Sequence, residues 1–284
     1  MRWQGRRGSN NIEDRRSIGR SVGGAGGIGG VGLIVVVVVG YFLGFDVTPL
    51  LQQSGGLAPQ DAGVELTEAD RTAGAFVSVT LADTEEVWAE IFRAEVGRAY
   101  TPATLVLFKD QTPSACGGAN GATGPFYCPG DQKVYLDTGF FVTMQQDLGA
   151  RGDFAMAYVV AHEIAHHVQD ELGILGQAND RRARVSQAES NEISVRIELQ
   201  ADCFAGIWAK SAERTFGSLD AGDLDEALNA ARKIGDDTLQ KAAGRRPMPD
   251  SFTHGTSAQR SAWLQRGYQT GDLRQCDTFS ASKL

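Results

Sequence analysis

The longest unbroken apolar run in the chain is Ile28–Phe45, built only from Gly, Val, Leu, Ile, Tyr and Phe, with five consecutive valines at Val35–Val39. Eighteen such residues are close to the lower limit for crossing hydrocarbon as a helix. Residues 46–66 are rich in Gln, Gly, Pro and Ser and read as a linker. Beyond them the pattern becomes that of a folded domain. Thr67–Val96 has helical spacing, with Trp88, Ile91, Phe92 and Val96 on one face and Asp83 or Thr84 as a candidate cap. Thr104–Phe108 and Lys133–Leu136 have the length and composition of strands. Helical segments follow at Thr138–Leu148, Phe154–Leu172, Arg181–Phe216 and Asp223–Ala243. Phe154, Ala157, Tyr158, Ala161, Ala165, Val168 and Leu172 make the apolar side of the second of these. Pro247 and Pro249 interrupt the pattern, and Thr256 can cap a last helix through Trp263. No internal repeat is evident. The expectation is an α+β fold, mostly helical, with a small mixed sheet near the start of the domain.

Charge adds a topology. Residues 1–45 hold six arginines (Arg2, Arg6, Arg7, Arg15, Arg16, Arg20) against Glu13 and Asp14, a net of +4; the remainder holds 21 basic and 33 acidic residues, a net of −12. A domain this acidic is a poor nucleic-acid binder, because duplex binding draws on a basic surface. Basic residues directly before an apolar run place the N-terminus inside. The expected partition is a basic cytoplasmic tail at 1–27, a transmembrane anchor at 28–45, a linker at 46–66 and a catalytic domain at 67–284. A cleavable signal peptide competes, but the run is long for one and no clear small-x-small site follows it.

Four cysteines suit an exported domain. Cys116 and Cys128 bracket a Gly-rich loop, where a disulfide would contribute about 3 kcal/mol through loop entropy. Cys203 and Cys276 would then pair, although four cysteines allow three pairings. The absence of Cys-x-x-Cys spacing argues against a cysteine zinc site.

The chemistry concentrates in His162-Glu163-Ile164-Ala165-His166. Helix residues four apart differ by about 40° around the axis, so both imidazoles can bind one Zn²⁺. Glu163 lies beside them, placed to take a proton from water on the metal. His167 points about 100° away from His166 and reads as a surface residue. A catalytic zinc needs a third protein ligand, and no Gly and His follow the motif at the extended spacing: Gln169 and Leu172 stand there. Ile197-Glu198-Leu199-Gln200-Ala201-Asp202 supplies an alternative, with Glu198 as ligand and Asp202 one turn on, able to accept a hydrogen bond from a ligand histidine. Glu189 and Glu192 are rival ligands.

The pairing of His162-Glu163-x-x-His166 with Glu198-x-x-x-Asp202 resembles the gluzincin arrangement of thermolysin-type peptidases. Residues 124–137, Val160–Gln169 and Glu198–Gly206 are similar to the bacterial putative neutral zinc metallopeptidase family, as are the basic tail and apolar segment. The resemblance implies a zincin-like fold, Zn²⁺ as cofactor, His162, His166 and Glu198 as ligands, Glu163 as base and Asp202 behind the ligands. Together with the apolar run and its basic flank, a bacterial chain of this kind is expected in the inner membrane, crossed once, with the N-terminus cytoplasmic and the catalytic domain outside. In zinc peptidases of this type an edge strand pairs with substrate backbone, and Lys133, Val134, Tyr135 and Leu136 are the candidates. His254 could donate to the oxyanion, with Tyr135 or Tyr158 as alternatives. The expected activity is hydrolysis of a peptide or protein substrate by zinc-activated water. A non-catalytic envelope protein that keeps the zinc site for structure or partner binding is the first rival. An anchor-and-scaffold protein without metal is the second.

Overall fold

The computed structural model describes residues 1–17, 65–120 and 124–284. The apolar run 28–45 and residues 46–64 of the linker lie outside them. Among the described residues no helix is long and apolar enough to cross a membrane.

The order of elements is β1 (Ile12–Asp14), α1 (Glu68–Ile91), β2 (Thr104–Phe108), β3 (Gln111–Ser114), β4 (Gly117–Asn120), β5 (Phe126–Cys128), β6 (Lys133–Asp137), α2 (Phe140–Gln146), α3 (Asp153–Glu171), α4 (Ile174–Arg182), α5 (Gln187–Phe216), α6 (Asp223–Lys233), α7 (Asp236–Ala242) and α8 (Ser257–Thr270). A mixed four-stranded sheet has the order β1-β2-β6-β5, with β1, β2 and β6 parallel and β5 antiparallel to β6. β3 and β4 form a separate hairpin. This is the expected α+β layout, mostly helical with a small sheet.

Period-two alternation explains why the sheet is buried on both faces. Leu105, Leu107, Val134 and Leu136 join the main helical core. Val106, Phe108 and Tyr135 point the other way, into a small cluster with Ala119, Cys128 and Phe126. The Cys116–Cys128 disulfide fastens the hairpin to β5 on that second side. Cys203 and Cys276 form the other disulfide, tying α5 to the C-terminal segment.

Four expectations change. First, Lys133–Leu136 is an interior strand, because β6 is hydrogen-bonded to β2 on one side and β5 on the other; the edge beside the helices is β5. Second, neither Asp83 nor Thr84 caps α1. Thr67 does, in a capping box with Asp70, so the helix starts earlier and Asp83 and Thr84 are buried within it. Third, His167 is 1% exposed, with its ring nitrogens against the Thr101 carbonyl and the Tyr127 hydroxyl, so it belongs to the core. Fourth, residues 1–17 are part of the folded unit, whereas the partition by charge began the domain at residue 67. β1 supplies an edge to the sheet, and Met1, Trp3 and Ile12 pack on the main core.

The helices α5 and α8 cross in close contact. A Cβ at Gly206 would overlap the Leu264 carbonyl, and one at Gly267 would overlap the Cys203 carbonyl. Two glycines face to face let the backbones approach to a distance no side chain permits. Gly206→Ala and Gly267→Ala should each destabilise the protein by about 2 kcal/mol, the scale of overpacking in a tight core. Urea denaturation measures this, and an unchanged midpoint in both variants would contradict the close crossing.

Candidate metal centre

The helix α3 is fixed at both ends. It begins after Gly152, at φ 103°, without a side-chain cap of its own. The Glu226 carboxylate from α6 accepts the Phe154 N–H instead, placing a negative charge at the helix N-terminus. It ends at Leu172 before Gly173, whose φ of 75° lets the chain turn back. Between these ends Ala157, Ala161 and Ala165 are fully buried, so α3 lies close against its neighbours. His162, Glu163 and His166 face a pocket that Glu198 of α5 also lines.

His162, His166 and Glu198 bring one ligand atom each to within 4.8 Å of one another. His162 Nε2 lies 3.1 Å from Glu198 Oε2, and His166 Nε2 lies 3.5 Å from Glu198 Oε1. The far nitrogens have partners too. His162 Nδ1 is 2.9 Å from Asp202 Oδ1, although its N–H is not aligned for a full hydrogen bond. For His166 a relay sets the tautomer. Gln200 Nε2 donates to the Cys276 carbonyl, which turns its Oε1 toward Gln169. Gln169 Nε2 donates to that oxygen and to the Ile197 carbonyl, leaving its Oε1 to accept from His166 Nδ1 at 2.9 Å. With both Nδ1 atoms carrying hydrogen toward acceptors, both Nε2 lone pairs face the Glu198 carboxylate.

Acceptors facing acceptors in a buried site repel unless a cation lies among them. Protons are one such cation. Burial opposes a charge on His162, but Asp202 and Glu198 outweigh it and hold the ring's pKa up to about 10. His166 is raised in the same sense, against its burial, by Glu198. Burial pushes the Glu198 carboxyl up, yet His166, His254 and His162 together hold it well below the usual carboxylate range. A divalent metal is the other solution, and two imidazoles with one carboxylate are a zinc donor set. The residues present therefore fit the ion.

Behind the ligands stands Asp202, wholly buried. The Arg260 guanidinium of α8 grips it through Nε at 2.9 Å and Nη2 at 3.0 Å, and the Tyr158 hydroxyl donates to it at 2.5 Å. Burial would raise the Asp202 carboxyl, and Arg260 and His162 bring it below its ordinary value. His254 lies on the loop before α8, its backbone N–H on Asp236 Oδ2 at 2.7 Å. It lines the metal pocket and an adjoining groove that also contains Arg182, Arg246 and Asp250. Gly124, Pro125, Phe126, Tyr127 and Pro129, in and around β5, form another wall of the metal pocket.

The sequence-predicted residues His162, Glu163, His166, Glu198, Asp202 and His254 thus converge. Glu189 and Glu192 do not; they are surface carboxylates paired with Arg181 and Arg196. Tyr135 sits on the far face of the sheet with its hydroxyl on Asp131, and the Tyr158 hydroxyl is committed to Asp202. Sequence reasoning missed Arg260 and Gln169 as partners of the site. Both were detectable in principle. A buried aspartate behind a ligand needs a countercharge, and a glutamine three residues after His166 sits on the same stretch of helix.

Among the described residues Asp153, Asp223 and Glu226 also gather within 4.8 Å. They offer no nitrogen donor, the Met1 amine lies 2.9 Å from Asp153 Oδ1, and Glu226 is engaged by Phe154.

Comparison with known proteins agrees with this geometry. The sequence profile of the family described as putative neutral zinc metallopeptidase matches residues 1–279. The chain is 47% identical over 290 aligned positions to uncharacterized protein YpfJ of Escherichia coli K12, covering 99% of this chain and 100% of that one. It is 43% identical over 195 positions to uncharacterized protein Mb2605 of Mycobacterium bovis and to uncharacterized protein Rv2575 of Mycobacterium tuberculosis, covering 65% of each chain. No solved structure matches.

Three outcomes follow for purified protein. His162→Ala and His166→Ala should each lose bound zinc, measured by elemental analysis; full occupancy in both would refute the ligand set. Asp202→Asn should weaken zinc affinity by roughly 10–100-fold, as loss of an outer partner does. Because binding must expel the proton that His162 holds up to about pH 10, zinc affinity should climb with pH from 6 to 9 in a competition titration. A flat profile would contradict the proton-loaded apo site.

Proposed function

The chain belongs to the putative neutral zinc metallopeptidase family, and from that membership and the geometry of the site we propose that it is a zinc peptidase hydrolysing peptide bonds, with Glu163 as general base. The observation that carries the reading is the convergence of His162, His166 and Glu198 in the pocket that Glu163 also lines. Zinc held by those three residues would supply a water of lowered pKa and polarise the scissile carbonyl.

The remaining work falls to the chain's own groups. Asp202 and Gln169 fix the two imidazoles so that their Nε2 atoms converge. Arg260 neutralises Asp202 and keeps it from attracting the His162 proton outright. Glu163, 8% exposed, accepts the proton of the attacking water and delivers it to the leaving amine. His254, which lines the pocket, donates toward the developing oxyanion. Among the described residues β5 is the last strand of the sheet on the pocket side, so an extended substrate can add to it there by backbone hydrogen bonds. Attachment to the bacterial inner membrane through residues 28–45 belongs to the same proposal, supported by the apolar content of that run.

Glu163→Gln separates base from ligand. The amide keeps size and hydrogen-bonding capacity but cannot take the proton. The variant should retain its zinc and its fold while cleavage of any peptide the parent hydrolyses falls at least about 100-fold. A fully active Glu163→Gln enzyme would place the activity elsewhere, and loss of metal would make Glu163 a ligand.

A further inference from the structure

We infer that residues 1–17 lie on the same side of the membrane as residues 65–284. This stands apart from the peptidase chemistry and rests on the membrane attachment proposed above. It replaces the single crossing expected from the basic flank, in which the tail is cytoplasmic and the domain outside.

The first seventeen residues are built into the domain at every level. β1 pairs in parallel with β2 in the register Ile12↔Leu105, Glu13↔Val106 and Asp14↔Leu107. Backbone hydrogen bonds run from the Arg2 N–H to the Ser218 carbonyl at 2.7 Å, and from the Ser9 N–H to the Ser78 carbonyl at 2.9 Å. Trp3 packs edge-on against Phe76 with ring centroids 5.5 Å apart. Those contacts reach α1, β2 and the end of α5, elements far apart in sequence.

The arginines that suggested a topology signal have other work. Arg6 makes two 2.6 Å bonds to the buried Asp83 carboxylate, and its guanidinium lies 4.4 Å from the Phe216 ring centroid. Arg2 is 3.1 Å from Asp220, and Arg7 is 4.0 Å from Glu86. Arg15 pairs with Glu13 at 2.8 Å, and Arg16 with Asp14 at 2.6 Å. Arg16 is 5% exposed and also donates to the Asp70 carbonyl. Each of the five described arginines therefore has an acidic partner, and three of those acids belong to the domain itself. These arginines are engaged in contacts that need the folded domain beside them.

The domain is also shaped to receive the segment. Gly74 sits in the interior of α1, where glycine is a poor helix former, and a Cβ there would fall within the Arg16 guanidinium. Gly8 faces Ser78 in the same way: its Cβ would meet the Ser78 side chain. If residues 1–17 stood across a bilayer from the domain, Asp83 would lose the arginine that now binds both its carboxylate oxygens at 2.6 Å. β2 would also lose its outer partner and become an exposed edge.

Paired thiol labelling tests this in cells producing the full chain. Gln4→Cys and Gln265→Cys each place a thiol on an exposed position, with the parent chain as blank. A membrane-impermeant maleimide is added to intact spheroplasts and, separately, after lysis. We expect both variants to label before lysis, or both only after it. Labelling of one before lysis and of the other only after it would overturn the inference. A second readout uses the full chain solubilised in detergent. Arg6→Ala should lower Tm by roughly 3–6 °C if the segment is docked; an unchanged Tm would show that it is not.

Discussion

A carboxylate with no access to water holds this site together. Asp202 on α5 meets His162 from α3, the Tyr158 hydroxyl one turn earlier on α3, and Arg260 from α8. Burying an unpaired carboxylate costs several kcal/mol, and removing one partner from a buried pair is strongly destabilising. The three helices are therefore bound to one another through a group that tolerates no loose arrangement. The bidentate grip of Arg260 fixes direction as well as charge. That grip requires α8 to lie almost on the backbone of α5, which Gly206 and Gly267 permit and the Cys203–Cys276 disulfide secures. Packing, covalent linkage and electrostatics thus serve one end, the aim of the His162 ring.

The second imidazole is aimed by neutral groups. His166 is held through Gln169, Gln200 and the Cys276 carbonyl, a chain that ends at the same disulfide. One ligand is backed by a charged network and the other by amides. The site needs both, since a metal ligand that can rotate about χ2 loses the convergence on which binding depends. Glu198 then closes the set from α5, one turn from Asp202. A single helix thereby supplies both a candidate ligand and the group that faces another candidate ligand from behind.

Much of this was written locally. The five residues at 162–166 carry their own geometry, since helical spacing alone brings two imidazoles to one face, and Glu198-x-x-x-Asp202 does the same for two acids. The helix α3 was legible from its small apolar stripe, and α8 from its Thr256 cap. Long-range pairing was not legible. Nothing within Lys133–Leu136 says which neighbour lies on which side, so an interior strand read as an edge while β5, only three residues long, went unrecognised. His167 looked exposed because its angle on the helix was known but not what packs there. Charge read along the chain was incomplete at the N-terminus for a related reason. A count of arginines along the chain carries no record of Asp83 and Asp220, which neutralise two of them from the far side of the fold.

The central claim is that one metal ion is held by two histidines of α3 and one glutamate of α5. Anomalous diffraction collected on either side of the zinc absorption edge, from crystals of the protein purified without chelator, tests it most directly. The account predicts a single strong peak at bonding distance from His162 Nε2, His166 Nε2 and a Glu198 carboxylate oxygen, with no protein sulfur nearby. No peak at that position, or a peak among Asp153, Asp223 and Glu226 in its place, would contradict it.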